Sequence, residues 1–369
     1  MENTSQPLLE AYHLGDLKLK NRVVMASLTR GRATNPDLIP TAMMAEYYAQ
    51  RASAGLIVSE GTWVNPQSIG FINVPGIYTG EQVEGWKTVT KAVHDKGGLI
   101  FLQLGHIGAG AHPDLQEGKP PVGPSAVNIE SQSFTPEGFK ATVTPREMTV
   151  AEIHQTIEDY KHAAMNAKDA GFDGIEIHAI AGMLIPQFLS TATNKRTDEY
   201  GGTIENRARI IFEILEAVTQ VWDSTRIAIK FSPVMLSSVG IVKPDEETIP
   251  LFRYILHQLD HYNLAFVHIV GPSEDLTGTP VEALQDNYFA HFRRHYHGRI
   301  LANSGFSKDS ADAILREGNA DLVSFGEPFI ANPDLVERFK QGVPLSESDR
   351  DTYYSGEENG YITYPEATI

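Results

Sequence analysis

Eight short apolar runs, most of them followed by a stretch with helical spacing, constrain this chain more than any other feature. They fall at residues 23–25, 56–58, 99–103, 174–178, 227–231, 266–269, 300–302 and 322–325. Runs this short and apolar suit strands buried on both faces, the condition of a parallel sheet covered by helices. Helices are expected at residues 42–53, 81–96, 150–170, 204–221, 246–259, 308–317 and 333–340. In the fourth of these, Ile204, Ala208, Ile211, Leu215 and Val218 share one face. Thr149 stands where a cap for residues 150–170 is needed. The repeated alternation predicts an α/β chain, a single (β/α)8 TIM barrel over residues 1–369 with a tail lying over its site. A doubly wound sheet is the alternative that alternation alone leaves open. Residues 14–19, LGDLKL, read as a small N-terminal hairpin closing one end. Residues 105–148 form a long loop after the third strand, rich in Gly and Pro, and a loop of that length reads as a cap on a site.

Composition narrows the function classes. The chain has 47 acidic against 30 basic residues, a net charge of −17, which argues against nucleic acid or an anionic membrane as partner. It has no cysteine, so disulfides, thiol nucleophiles, cysteine–zinc sites and iron–sulfur clusters are ruled out. The start, MENTSQPLLE, lacks a basic and then apolar leader pattern, and no apolar run is long enough to span a bilayer. The expectation is a cytoplasmic protein that acts on a small molecule.

In a barrel, the carboxyl ends of the strands face one mouth and carry the chemistry. Those ends supply Ser27 and Thr29, Gly61, Gln103 and Gly105, His178, Lys230, Asn303-Ser304-Gly305 and Gly326-Glu327. The last two groups are glycine turns after the seventh and eighth strands, where barrels build phosphate sites from backbone N–H groups. His178 can donate to a carbonyl oxygen or exchange a proton near neutral pH. His257/His261 and His291/His295 have helical spacing, but without an adjoining glutamate they read as surface histidines rather than a metal site.

The motifs KNRVVMASLTR (20–30), EYYAQRASAGLIVSE (46–60), QLGH (103–106), NKRTDEYGG (194–202), IENRAR (204–209), FGEPFIANPDL (325–335) and YITYP (361–365) resemble the old yellow enzyme family of flavin-dependent ene-reductases, in family order over nearly the whole chain. The resemblance implies FMN as cofactor and NAD(P)H as reductant, with hydride passing by way of FMN to the β-carbon of an activated alkene or to a nitro compound. It places Thr29 and Gln103 against the flavin edge, Gly61 beside the ring, and the turns Asn303-Ser304-Gly305 and Gly326-Glu327 around the phosphate. It also implies a substrate pocket at Phe71, Gly105, Ala181 and Met183. Lys230 falls where the family has arginine; the cation is kept and the bidentate fork is lost.

Four further positions depart from the pattern. His178-Ala179-Ile180-Ala181 keeps one of the family's two oxygen-gripping residues. Met183 replaces the proton-donating tyrosine, and Gly105 a pocket aromatic. Glu327 stands where an arginine would meet the phosphate, and two like charges ~4 Å apart repel by about 1–4 kcal/mol. Tyr354, in the tail, matches another pocket tyrosine and is the substitute proton donor, with water the other source. These departures leave two alternatives open: a flavin-independent, redox-neutral enzyme using His178, and a non-catalytic flavin- or ligand-binding scaffold.

Overall fold

The computed structural model describes residues 6–180, 182–237, 240–354 and 356–367. Eight parallel strands close into a barrel: β1 (Val23–Met25), β2 (Leu56–Trp63), β3 (Ile100–Gly105), β4 (Gly174–Ala179), β5 (Ile227–Phe231), β6 (Phe266–Val270), β7 (Ile300–Asn303) and β8 (Leu322–Phe325). Closure is made by β8 pairing with β1, Val323 opposite Val23 and Phe325 opposite Met25. The doubly wound alternative is thereby excluded, since such a sheet has two open edges.

Side chains alternate along each strand. The outward set, including Val23, Met25, Ile57, Leu102, Ile175, Ile177 and Ile229, packs against the helices α1 (Ala42–Gln50), α2 (Gly80–Asp95), α3 (Val150–Asp169), α5 (Ile204–Thr219), α6 (Thr248–Leu259), α8 (Lys308–Arg316) and α10 (Leu335–Gln341). A short α4 (Leu184–Leu189) follows β4, α7 (Tyr288–His295) precedes β7, and α9 (Glu327–Ala331) follows β8. The inward set begins with an apolar layer of Val24, Val58, Phe101, Ala228, Phe266, Leu301 and Leu322. The antiparallel hairpin of Tyr12–Leu14 and Leu17–Leu19 packs Leu14, Leu17 and Leu19 onto it and plugs that end of the barrel.

Several elements differ from expectation. β2 runs on through Ser59-Glu60-Gly61 to Trp63, past a register shift between Val58 and Gly61. Its polar residues are buried and hydrogen-bonded, so loss of apolar character does not end the strand. α7 was not expected, because Tyr288 and Phe292 are its only buried residues among a polar, basic set. The loop after β3 is partly ordered: Gln132–Thr135 and Gly138–Ala141 form a hairpin, and Val122–Gly123 pairs in parallel with Arg146–Glu147. α3 is capped as the sequence predicts, with Thr149 accepting from the Glu152 N–H and Glu152 accepting from the Thr149 N–H at 2.8 Å.

Candidate active site

Strand register assembles the interior of the mouth. Glu176 lies opposite Gln103, and Lys230 lies between His178 and His268. Glu176 and His178, two residues apart on β4, therefore point into the barrel together. Above the apolar layer Glu176 joins a continuous polar network. Gln103 Nε2 donates to Glu176 Oε1 at 2.7 Å and to Ser27 Oγ at 2.8 Å, and Lys230 Nζ donates to the same Ser27 hydroxyl at 2.9 Å. On the far side, His268 Nδ1 lies 2.8 Å from Glu176 Oε2 and its Nε2 lies 2.9 Å from Ser324 Oγ. Asn303 Nδ2 completes the chain by donating to Ser324 Oγ at 2.9 Å.

The charges of this network follow from its burial. Burial alone would raise the Glu176 carboxyl, but His268, Lys230 and Gln103 outweigh it and hold the group below its ordinary value. Burial pulls His268 down to about 4, against the opposing pull of Glu176, so its ring is neutral at pH 7. Lys230 is lowered by burial and supported by Glu176, its buried counter-ion. His178 is held down to about 3, first by burial and then by the Lys230 charge. It too is a neutral imidazole, a hydrogen-bond donor rather than an acid.

His178 faces a cavity of about 190 Å3 bounded also by Thr29, Gly61, Trp63, Phe71, Ile107 and Met183. Its Nδ1 is buried with no hydrogen-bond partner among the described residues. Gly61 keeps the wall open: a Cβ there would come 3.3 Å from Gln103 Oε1 and 3.5 Å from the His178 ring. Two departures from the family pattern compensate each other, because a Cβ on Gly105 would lie 2.9 Å from Met183 Cε. Met183 fills the space that Gly105 vacates. Phe71 leads outward to Tyr354, the ring centroids 5.4 Å apart, and Tyr354 is 42% exposed. Tyr354 thus meets the cavity by way of Phe71 rather than on its wall. Ala181 lies outside the described residues.

Around the ends of β7 and β8 lie two further cavities. One of about 740 Å3 is bounded by Asn303, Gly305, Gly326, Glu327, Ser346, Ser348 and Arg350. The other, about 390 Å3, shares Asn303 and Gly305 and adds Ser304, Ser232 and Gly271. Gly305 takes φ +58, a left-handed turn that favours glycine. The Glu327 side chain is turned to the tail, where its Oε1 accepts from the Tyr353 hydroxyl at 2.9 Å and lies 3.7 Å from Arg350 Nη2. The tail itself is fixed by buried arginines. Arg30 donates to Tyr353 O at 3.0 Å and Gly360 O at 2.7 Å, Arg32 to Thr352 O at 2.8 Å, and Arg51 to Tyr361 O at 3.5 Å.

Residues 7–346 match the NADH:flavin oxidoreductase / NADH oxidase family. The chain belongs to that family. It is 40% identical over 364 residues to a probable flavin mononucleotide-dependent alkene reductase of Leishmania infantum, covering 97% of each chain. It is 37% identical over 367 residues to 12-oxophytodienoate reductase 1 of Oryza sativa subsp. japonica, covering 97% of this chain and 93% of that one. Morphinone reductase superposes with a TM-score of 0.91 at 41% identity, over 99% of this chain and 98% of that one. The protein is an FMN-dependent oxidoreductase of the old yellow enzyme type.

Its residues fit the cofactor. The Thr29 hydroxyl, the free Gln103 Oε1 and the Lys230 ammonium supply donors and an acceptor suited to a flat ring edged with carbonyl and N–H groups. Gly305 and Gly326 line the cavity at the ends of β7 and β8, and the space beside Gly305 is open to a phosphate. Sequence reading missed Glu176, His268, Ser324 and Arg350. Period-two alternation from His178 pointed to Glu176, and a lone histidine inside the apolar run FVHIV pointed to His268. Among the described residues no group of three or more His, Asp or Glu could hold a metal ion, and no helix is long and apolar enough to cross a membrane.

Proposed function

We propose that this chain reduces activated alkenes, enones or enoates, with nitro compounds a second substrate class, and that His178 holds the activating oxygen. The observation that carries the role of His178 is its unpaired, neutral imidazole on the wall of the cavity, beside the Gln103–Ser27–Lys230 cluster. FMN, when bound, relays hydride from NAD(P)H to the β-carbon. The residues of the chain do the rest. Burial lowers the Lys230 ammonium and Glu176 opposes that pull; the cation would sit at the cofactor ring and favour developing negative charge there. His178 donates to the carbonyl or nitro oxygen and withdraws electron density from the alkene. Trp63, Phe71, Ile107 and Met183 exclude water from the reacting face. With methionine at 183, the proton for the α-carbon comes from water or from the Tyr354 hydroxyl.

Anaerobic NADPH oxidation with cyclohexenone and nitroalkene acceptors tests this reading. His178→Ala is expected to lower kcat/KM by ~10²-fold with FMN still bound, the size seen when one oxyanion donor is removed. Because His178 is already neutral, the pH profile should show no imidazole step between pH 5 and 8. Undiminished turnover in His178→Ala would refute the assignment, and Tyr354→Phe decides between the two proton sources. We also propose one barrel domain acting in the cytoplasm on small molecules, in keeping with the strongly acidic balance of charge.

A further inference from the structure

The cavity of about 740 Å3 at the ends of β7 and β8 has an unusual charge balance. Among the described residues lining it, Glu327 and Glu347 are anionic and Arg350 is the one cation. Arg350 comes from the tail, not from the barrel. It opens the 3-10 turn Arg350–Thr352, and the carbonyls of Thr352 and Tyr353 are held by the buried guanidiniums of Arg32 and Arg30. The base of Arg350 is thus anchored to the barrel while its side chain stays 80% exposed and makes a loose contact, 3.7 Å, with Glu327. Glu327 does not depend on that contact, because the Tyr353 hydroxyl donates to it at 2.9 Å while Ser348 Oγ lies 2.6 Å from that hydroxyl.

We propose that Arg350 is the cation that receives the phosphate of FMN, with Glu327 as its resting counter-ion. The proposal rests on the flavin reading given above. On entry of the phosphate, a phosphomonoester dianion, Arg350 exchanges a weak surface ion pair for a charge-assisted, bidentate one. Glu327 keeps a hydroxyl donor from the Tyr353–Ser348 pair and is not stranded. Gly305, with open space beside it, and Gly326 line the same cavity. A strap from the far end of the chain thereby does the work of a barrel arginine, and cofactor affinity becomes tied to the seating of the tail.

The test is titration of the flavin-stripped protein with FMN and with riboflavin, which has the same ring and no phosphate, followed by flavin fluorescence quenching. Arg350→Ala should weaken FMN by about 10–100-fold and leave riboflavin within a factor of two, since only the phosphate contact is lost. Arg350→Lys should recover most of the FMN affinity, and Glu327→Gln should tighten FMN by removing the competing anion. If Arg350→Ala binds FMN like the parent, or loses riboflavin equally, the assignment of Arg350 is overturned while the flavin reading stands. If the parent binds neither flavin, the flavin reading itself fails and this inference fails with it.

Discussion

Glu60 is buried within β2, next to the Gly61 wall of the active site, and burial pushes its carboxyl up to about 7 from an ordinary 4.5. The N–H groups of Gly31 and Arg30, at 3.2 and 3.3 Å from Oε2, pull the other way and lose. Below pH 4.5 both folded and unfolded chains carry the proton, and the group adds nothing to the pH dependence. Between pH 4.5 and 7 the unfolded chain gives up the proton while the folded one keeps it, so stability falls as pH rises. Above pH 7 both are ionised and the loss is complete. A rise from 4.5 to about 7 corresponds to a loss of about 3 kcal/mol. Glu60→Gln removes the titration and keeps an acceptor for the two N–H groups. The variant should match the parent at pH 4.5 and exceed it at pH 8 by that amount. With an unfolding entropy of about 2.1 cal/mol/K per residue, a chain of this length gains about 4 °C in Tm. Differential scanning fluorimetry from pH 4.5 to 8 measures the gap. A gap that is flat across that range, or that widens toward acid, would refute the reasoning.

Other consequences follow from the same interior. Lys230→Met leaves Glu176 buried without its cation, a truncation that costs about 3–5 kcal/mol. In that variant the folded Glu176 carboxyl is raised, so the deficit should be largest near pH 8 and shrink toward pH 5 as a proton is taken up; a pH-independent deficit in the Tm of the stripped proteins would break the argument. Gly105→Trp must displace Met183, whose Cε lies where even a Cβ would crowd it. It should raise KM for a bicyclic enone more than for cyclohexenone, with FMN affinity unchanged, and equal effects on both substrates would count against Met183 as the filler of that space.

The barrel was legible because its signal is local. β1, β5 and β8 fall on the expected residues, each an apolar run bounded by polar chain. Where polarity enters the interior, local reading stops short: β2 continues through Ser59 and Glu60, which accept from the distant Gln103 and Gly31 N–H groups. α7 escaped notice for the opposite reason, burying too few apolar side chains to set a period. The mouth residues Thr29, Gly61, Gln103, His178 and Lys230 were legible from their places at strand ends. Glu176 and His268 carry only the faint local signals of alternation and of polarity in an apolar run, since their meaning lies in a 2.8 Å contact between β4 and β6. The compensation of Gly105 by Met183 joins residues far apart in the chain, and spacing alone does not encode it.

The three arginines that hold the tail have a consequence for how the molecule is made. Arg30, Arg32 and Arg51 belong to the first strand–helix unit, yet the carbonyls that accept from them include those of Phe329, Ile330, Thr352, Tyr353 and Gly360. A ribosome delivers the donors more than three hundred residues before the last of these acceptors. Before residues 352–360 have been made, Arg30 and Arg32 lack the acceptors that clamp the first mouth loop. That clamp therefore forms later than the residues of all eight barrel strands are made, and strand pairing alone does not supply it.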